Sequence, residues 1–123
     1  MLALERRDGL RVVAEAAALD GARWTGDDVL VLRLAPDESL ALGASEVDID
    51  DEHAIVEVET GFVAGTVDLA AVVAHIEWPL PSNRPALAQG LIAGVPTKLW
   101  LTDDEATLVV HAAYAEELLD RLR

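Results

Sequence analysis

The feature that most constrains the fold of this chain is a series of short apolar runs separated by turn residues. Residues 29–34 and 39–42 flank a turn that contains Pro36, and residues 54–60 alternate apolar and acidic side chains. Further runs follow at 86–93, 97–102 and 107–111. Short alternating runs are typical of β-strands whose apolar side chains face the core. The sequence therefore predicts two groups of three strands, with Val56 and Val58 facing inward.

Three other segments have the apolar spacing of helices. The first begins after Asp8, has apolar residues at 10, 13, 14 and 17, and ends at Gly21. The second begins at Asp68, with apolar residues at 69, 72, 73 and 76, and the third covers residues 112–122. The resulting order is α-βββ-α-βββ-α. It predicts an α+β fold, with a largely antiparallel sheet and helices packed on one face.

The length of the chain limits the number of domains. Its 123 residues, of which 52% are hydrophobic, suffice for one core of ordinary size. No linker or repeat interrupts the predicted elements. We therefore expect a single domain over residues 1–123.

The charge balance excludes several classes of partner. There are 23 acidic residues against 9 basic ones, which gives a formal net charge of −14. Nucleic-acid phosphates and anionic membrane surfaces would repel such a chain, so we expect it to bind neither. It has no cysteine, its first residues carry charges, and it lacks a long apolar run. These features favour a cytoplasmic protein without disulfides.

An acidic stretch invites a test for calcium binding. Asp48, Asp50, Glu52 and Glu59 stand at positions 1, 3, 5 and 12 of an EF-hand count. Position 6 requires glycine for a sharp turn, and His53 stands there instead. A solvated acidic loop is the better interpretation.

No residue pattern predicts catalysis. His53, His75 and His111 lack the spacing of a metal site, and the serines at 39, 45 and 82 lie outside any Gly-x-Ser-x-Gly motif. We therefore expect a protein that is not an enzyme, with no catalytic, cofactor-binding or metal-binding residue. Metal-assisted hydrolysis stays open as an alternative if the three histidines converge in space with carboxylates.

Four large side chains are candidates for a protein interface. They are Trp78 and Arg84 in the proline-rich segment 77–85, Trp100 in a late strand, and Tyr114 in the last helix. Tryptophan, tyrosine and arginine are enriched at interaction hot spots. The alternative for each tryptophan is that it covers the core.

Trp100 can be placed more closely than the other three. It alternates with Leu99 and Leu101, so it lies on the opposite side of its strand, with Lys98 and Thr102. If the leucines face the core, Trp100 faces a helix, a partner or water.

Several short segments of the sequence resemble those of one known family. They are the hairpin at 34–42, Val47-Asp-Ile-Asp50, Gly65 before Asp68, Gln89-Gly90 before Gly94-Val-Pro96, and Ala-Tyr-Ala-Glu-Glu-Leu-Leu at 113–119. Together they resemble the small gamma subunit of heterotetrameric sarcosine oxidase, a relative of the folate-binding aminomethyltransferase-type domains. The chain departs from that family in being shorter and in its proline-rich segment.

The resemblance implies an accessory role rather than an activity. In that family the flavin, nicotinamide and folate sites belong to the larger subunits, so no active-site residue carries over. The expected function is assembly with a larger enzyme, such as a sarcosine-oxidase-like amine oxidase, or with a second copy as a homodimer. The element order is also similar to that of acidic secretion chaperones, and the charge suits an immunity-type protein that binds a basic toxin.

Overall fold

The structure, a computed structural model, describes residues 2–123 and consists mostly of antiparallel sheet with a few short helices. This confirms the coarse prediction of a largely antiparallel fold. The contacts divide the chain into two compact units. Unit 1 comprises residues 2–6 together with Gly61–Arg123, and unit 2 is Arg7–Thr60. The expectation of one domain over residues 1–123 stays a prediction.

Unit 1 contains a five-stranded antiparallel sheet in the order β1-β6-β9-β8-β7. Its elements are β1 (Glu5–Arg6), β6 (Phe62–Asp68), α2 (Ala70–Val73), β7 (Ala86–Ile92), β8 (Val95–Leu101), β9 (Glu105–His111), a 3₁₀ turn (Ala112–Tyr114) and α3 (Ala115–Leu122). One face of this sheet carries the core. Leu99, Leu101 and Leu108 are fully buried there, and Val72 of α2 and Leu118 of α3 belong to the same cluster.

Unit 2 contains a four-stranded antiparallel sheet in the order β3-β4-β2-β5. Its elements are β2 (Gly9–Val13), α1 (Ala16–Asp20), β3 (Arg23–Ala35), β4 (Glu38–Asp48) and β5 (Ile55–Glu59). Its core cluster joins Leu10 and Val12 of β2, Leu19 of α1, and Ala41 and Ala44 of β4.

The predicted first helix is wrong over residues 9–13, which form the strand β2. The spacing of Leu10 and Val13 fits a helix, but Leu10 and Val12 also share one side of a strand. The strand is formed rather than the helix because β2 makes backbone hydrogen bonds to β4 on one side and to β5 on the other. A Cβ on Gly9 would lie 2.1 Å from the Ala41 carbonyl oxygen, so glycine permits this close approach.

The second predicted helix begins later than expected. Asp68 is the last residue of β6, where it pairs with Glu105 of β9, and it does not cap a helix. The helix α2 is a single turn, Ala70–Val73. The order α-βββ-α-βββ-α is therefore not observed. The first half of the predicted first helix forms the strand β2, and Asp68, the predicted start of the second helix, belongs to the strand β6.

The other predicted elements are present near their expected positions. The hairpin of β3 and β4 extends further than residues 29–42, since Arg23 pairs with Asp48 at its far end. Strands cover most of 54–60, 86–93, 97–102 and 107–111, and the 3₁₀ turn with α3 covers 112–122. The β7–β8 hairpin turns through Ala93 and Gly94, which both have positive φ, +48° and +82°. This is the pattern of a two-residue type I′ turn.

Candidate protein-binding surface

The side chain of Trp78 is engaged within unit 1. It is half-buried and packs against the unit 1 core, and its Nε1 donates a hydrogen bond to the Leu91 carbonyl at 2.8 Å. The indole lies over Gly90, where a Cβ would be 2.6 Å from ring carbons. Trp78 therefore fastens the proline-rich segment to the outer edge of β7.

Arg84 ties the same segment together. Its Nε and Nη2 donate to the Pro81 carbonyl at 3.2 and 3.0 Å, and its Nη1 donates to the Thr102 carbonyl at 3.2 Å. Through these hydrogen bonds Arg84 stabilises the proline-rich segment 77–85. A role for Trp78 and Arg84 in an interface stays a prediction.

Trp100 lies on the side of β8 that the sequence predicts. Leu99 and Leu101 are both 0% exposed on the core side, while Trp100 points to the opposite face and is half-buried. There it stands between Leu87 of β7 and Thr107 of β9. The predicted position of Trp100 is confirmed, and its role in an interface stays a prediction.

Tyr114 belongs to an aromatic group at the end of β9. The ring of His111 stacks on Phe62 with 4.4 Å between centroids, and Tyr114 meets His111 edge-on at 6.5 Å. Lys98 Nζ lies 5.4 Å from the centroid of the Phe62 ring. A groove of about 390 Å³ is lined by Phe62 and His111 of this group and also by Leu91, which is 54% exposed. Tyr114 is 42% exposed.

The acidic loop is ordered by one of its own carboxylates. Asp51 accepts hydrogen bonds from the backbone N–H of Glu15 at 3.0 Å and from that of His53 at 2.9 Å. These two bonds hold the pKa of Asp51 below its ordinary value. Asp48, counted above as a calcium ligand, instead pairs with Arg23 at 2.7 Å. Within residues 2–123, no three His, Asp or Glu side chains come together as a metal site would require.

The largest departure from the sequence-based expectation lies on β5. Val56 and Val58, predicted to face inward, are 46% and 76% exposed, and Ile55 is 56% exposed. The predicted side is right, because Val56 and Val58 lie opposite Val12 and Leu10 of the core cluster, but the expected burial is wrong. β5 is one of the two edge strands of the unit 2 sheet. The core cluster there is centred on β2, β4 and α1 and has no fully buried member on β5.

An ionic bridge across three strands holds β5 in place. Arg11 of β2 binds Glu38 of β4 at 2.7 Å and Glu59 of β5 at 3.3 Å. The hydrogen bond to Glu38 is the main reason that the pKa of Arg11 is raised above its ordinary value, so this cation stays charged. β5 is therefore a fixed strand with exposed apolar side chains.

Among the strands of residues 2–123, the other sheet edges are protected in recognisable ways. β1 has two residues only, and β3 has register shifts near Gly26 and carries Asp27 and Asp28 on its exposed part. On β7, Trp78 occupies the Leu91 carbonyl, as described above. Bulges, charges, short length and covering loops are the usual means of blocking an edge. β5 has neither a proline nor a bulge, and its charged residues are Glu57 and Glu59, so its edge carries negative charge but no backbone irregularity.

Two comparisons with known proteins find no match for this chain. No protein-family model matches it, and no curated protein matches it. Within residues 2–123, no helix combines the length and the apolar character needed to cross a bilayer. The local geometry of the two units is therefore the basis for a functional proposal.

Proposed function

We propose that this chain is a non-catalytic accessory protein of the cytoplasm that binds a larger protein, as a small subunit does. The observation that carries the proposal is the exposure of Ile55, Val56 and Val58 on one five-residue strand. Val56 and Val58 share one side of β5 and Ile55 lies on the other. Isolated exposed hydrophobic side chains are common, but an edge strand that exposes apolar side chains on both sides is typical of an interaction site.

The resemblance to the gamma subunit of heterotetrameric sarcosine oxidase supports the same role. On this proposal the partner is a larger enzyme, such as an amine oxidase of that kind, and the active site belongs to the partner. Burial of apolar side chains would supply most of the binding energy. Such a complex persists at high salt, because ionic screening does not weaken apolar burial.

A second candidate is an acidic binding module of the secretion-chaperone or immunity type. The exposed carboxylates of Asp50, Glu52 and Glu57 beside the apolar strand favour it, together with the net charge of −14. A module of this kind binds a basic partner rapidly at low salt and loses it as salt rises.

The test is capture of partners by the tagged full chain from its host lysate at low and high salt, followed by mass spectrometry. We expect a stoichiometric large protein that is retained at high salt by the native chain and lost by Val58→Glu. Val73→Glu is the matched control, because Val73 is 48% exposed on α2 of unit 1. Thermal melting checks that both variants fold.

Three results would count against the proposal. The first is recovery of the tagged chain alone at both salt concentrations, and the second is retention of the partner by Val58→Glu as fully as by Val73→Glu. Loss of the partner between low and moderate salt would assign the chain to the acidic-module class instead.

A further inference from the structure

We propose that the outer edge of β5 takes up an extended segment of a partner protein as an added strand, and that this segment alternates apolar residues with lysine or arginine. The inference rests on the proposed function, because it specifies how the accessory protein would hold its partner. It names β5 of unit 2 as the contact element and defines the chemistry of the segment that fits there.

The backbone of β5 is suited to strand addition. All five residues, Ile55–Glu59, pair with β2 on one side, so the strand is regular along its whole length. The sheet order places no described strand on its other side. An edge of this kind presents backbone N–H and C=O groups that an incoming strand can pair with. The Arg11 bridge to Glu59 fixes the strand before a partner arrives.

The side chains of β5 define two different faces for the partner. Val56 and Val58 lie opposite Val12 and Leu10 of β2, so they continue the apolar side of the sheet. Glu57 lies on the other side and is exposed. Residues directly opposite each other across a strand pair stabilise it when both are apolar or when their charges are opposite. The partner segment should therefore place apolar residues beside the valines and a basic residue beside Glu57.

Charge also decides against a second copy of this chain as the occupant. Antiparallel pairing of two β5 strands in full overlap would set Glu57 opposite Glu57, and like charges directly opposite destabilise a pair. Each copy also carries a net charge of −14. A basic segment of another protein meets the acidic surroundings of β5 favourably.

The test uses the full chain and three capped nine-residue peptides. The first alternates lysine and valine, the second has glutamate in place of lysine, and the third has proline in place of valine. The third has the same charge as the first but lacks the backbone N–H donor at every second residue. Binding is measured by titration, and backbone amide hydrogen exchange shows which residues become protected.

We expect the lysine–valine peptide to bind and to protect amides of β5. The glutamate and proline peptides should bind at least about tenfold more weakly, because one opposes the charge of Glu57 and the other cannot form the ladder. In the variant Glu57→Lys the preference between the lysine and glutamate peptides should reverse. This reversal separates a specific contact from general attraction to an acidic protein.

Several results would overturn strand addition. They are equal binding of the lysine–valine and lysine–proline peptides, protection confined to other strands, or no binding at millimolar peptide. Concentration-dependent dimerisation that protects β5 without peptide would assign the edge to a second copy.

The two proposals can fail separately. If a captured partner depends on Val58 but leaves β5 amides unprotected, strand addition is wrong and the accessory role stands. If the peptide protects β5 but no partner is captured, the accessory role is wrong and the edge site stands.

Discussion

The contact between Gly90 and Trp78 makes a quantitative prediction about the substitution Gly90→Ala. A Cβ at position 90 would lie 2.6 Å from Cε2 and Cζ2 of Trp78 and 2.9 Å from its Nε1. The same Nε1 donates to the Leu91 carbonyl. A methyl group at this position must therefore displace the indole and weaken its hydrogen bond.

The expected cost follows from opposing contributions. Overpacking costs about 1–3 kcal/mol. Loss of the hydrogen bond adds roughly 0.5 kcal/mol, since Leu91 is exposed and water can reach its carbonyl. Alanine lowers the conformational entropy of the unfolded chain, which offsets about 0.4–1 kcal/mol of this cost. This gain applies here because the φ of Gly90 is not in the left-handed region, so alanine can adopt it. The variant should be less stable by about 0.5–3 kcal/mol.

A double-mutant cycle tests the cause of this cost. Urea denaturation is measured for the native chain, Gly90→Ala, Trp78→Ala and the double variant. With the indole removed, Gly90→Ala should be neutral or slightly stabilising, because the three nearest heavy atoms to the new Cβ all belong to that ring. The same destabilisation in both backgrounds would refute the reasoning and place the strain in the backbone.

Further predictions concern other parts of the chain. The lowered pKa of Asp51 means that its stabilisation is present above the unfolded-state value of 3.8 and is lost as pH falls through the folded-state pKa. NMR titration should show the pKa of Asp51 below 3.8, with a smaller protection factor for the Glu15 amide once Asp51 is protonated; a midpoint at or above 3.8 contradicts this. Leu118→Ala should cost about 2–5 kcal/mol in urea unfolding, because Leu118 is 0% exposed; a loss under about 1 kcal/mol would mean that α3 is not docked. Ala93→Asn should raise the free energy of unfolding by about 0.5–1 kcal/mol, because asparagine tolerates positive φ in a type I′ turn; a decrease would argue against that turn.

The sequence predicts those elements whose local pattern has a single interpretation. The hairpin about Pro36 and the meander over residues 86–111 are of this kind, because alternation and turn residues agree there. The last helix is similar, with acidic residues early and Arg121 late. Local pattern fails at Leu10 and Val13, whose spacing fits both a helix and a strand.

The candidate surface is harder to obtain from sequence because it depends on strand order. The alternation of Val56 and Val58 with glutamates correctly predicts a strand but not its position in a sheet. An inward-facing valine on a central strand and an exposed valine on an edge strand have the same local pattern. The structure supplies the missing fact, which is that β5 stands at the end of its sheet, with β2 as its one neighbour among the described strands.

The strand β1 has a consequence for the order of folding. Its residues Glu5 and Arg6 pair with Ala64 and Val63 of β6, although all of unit 2 lies between them in the sequence. Unit 2 is thus an insertion whose own ends meet, since Gly9 pairs with Glu59. During synthesis all of unit 2 leaves the ribosome before β6, the strand that pairs with β1, has emerged. The inserted unit can therefore close its sheet first, and in doing so it brings the two separated parts of unit 1 together.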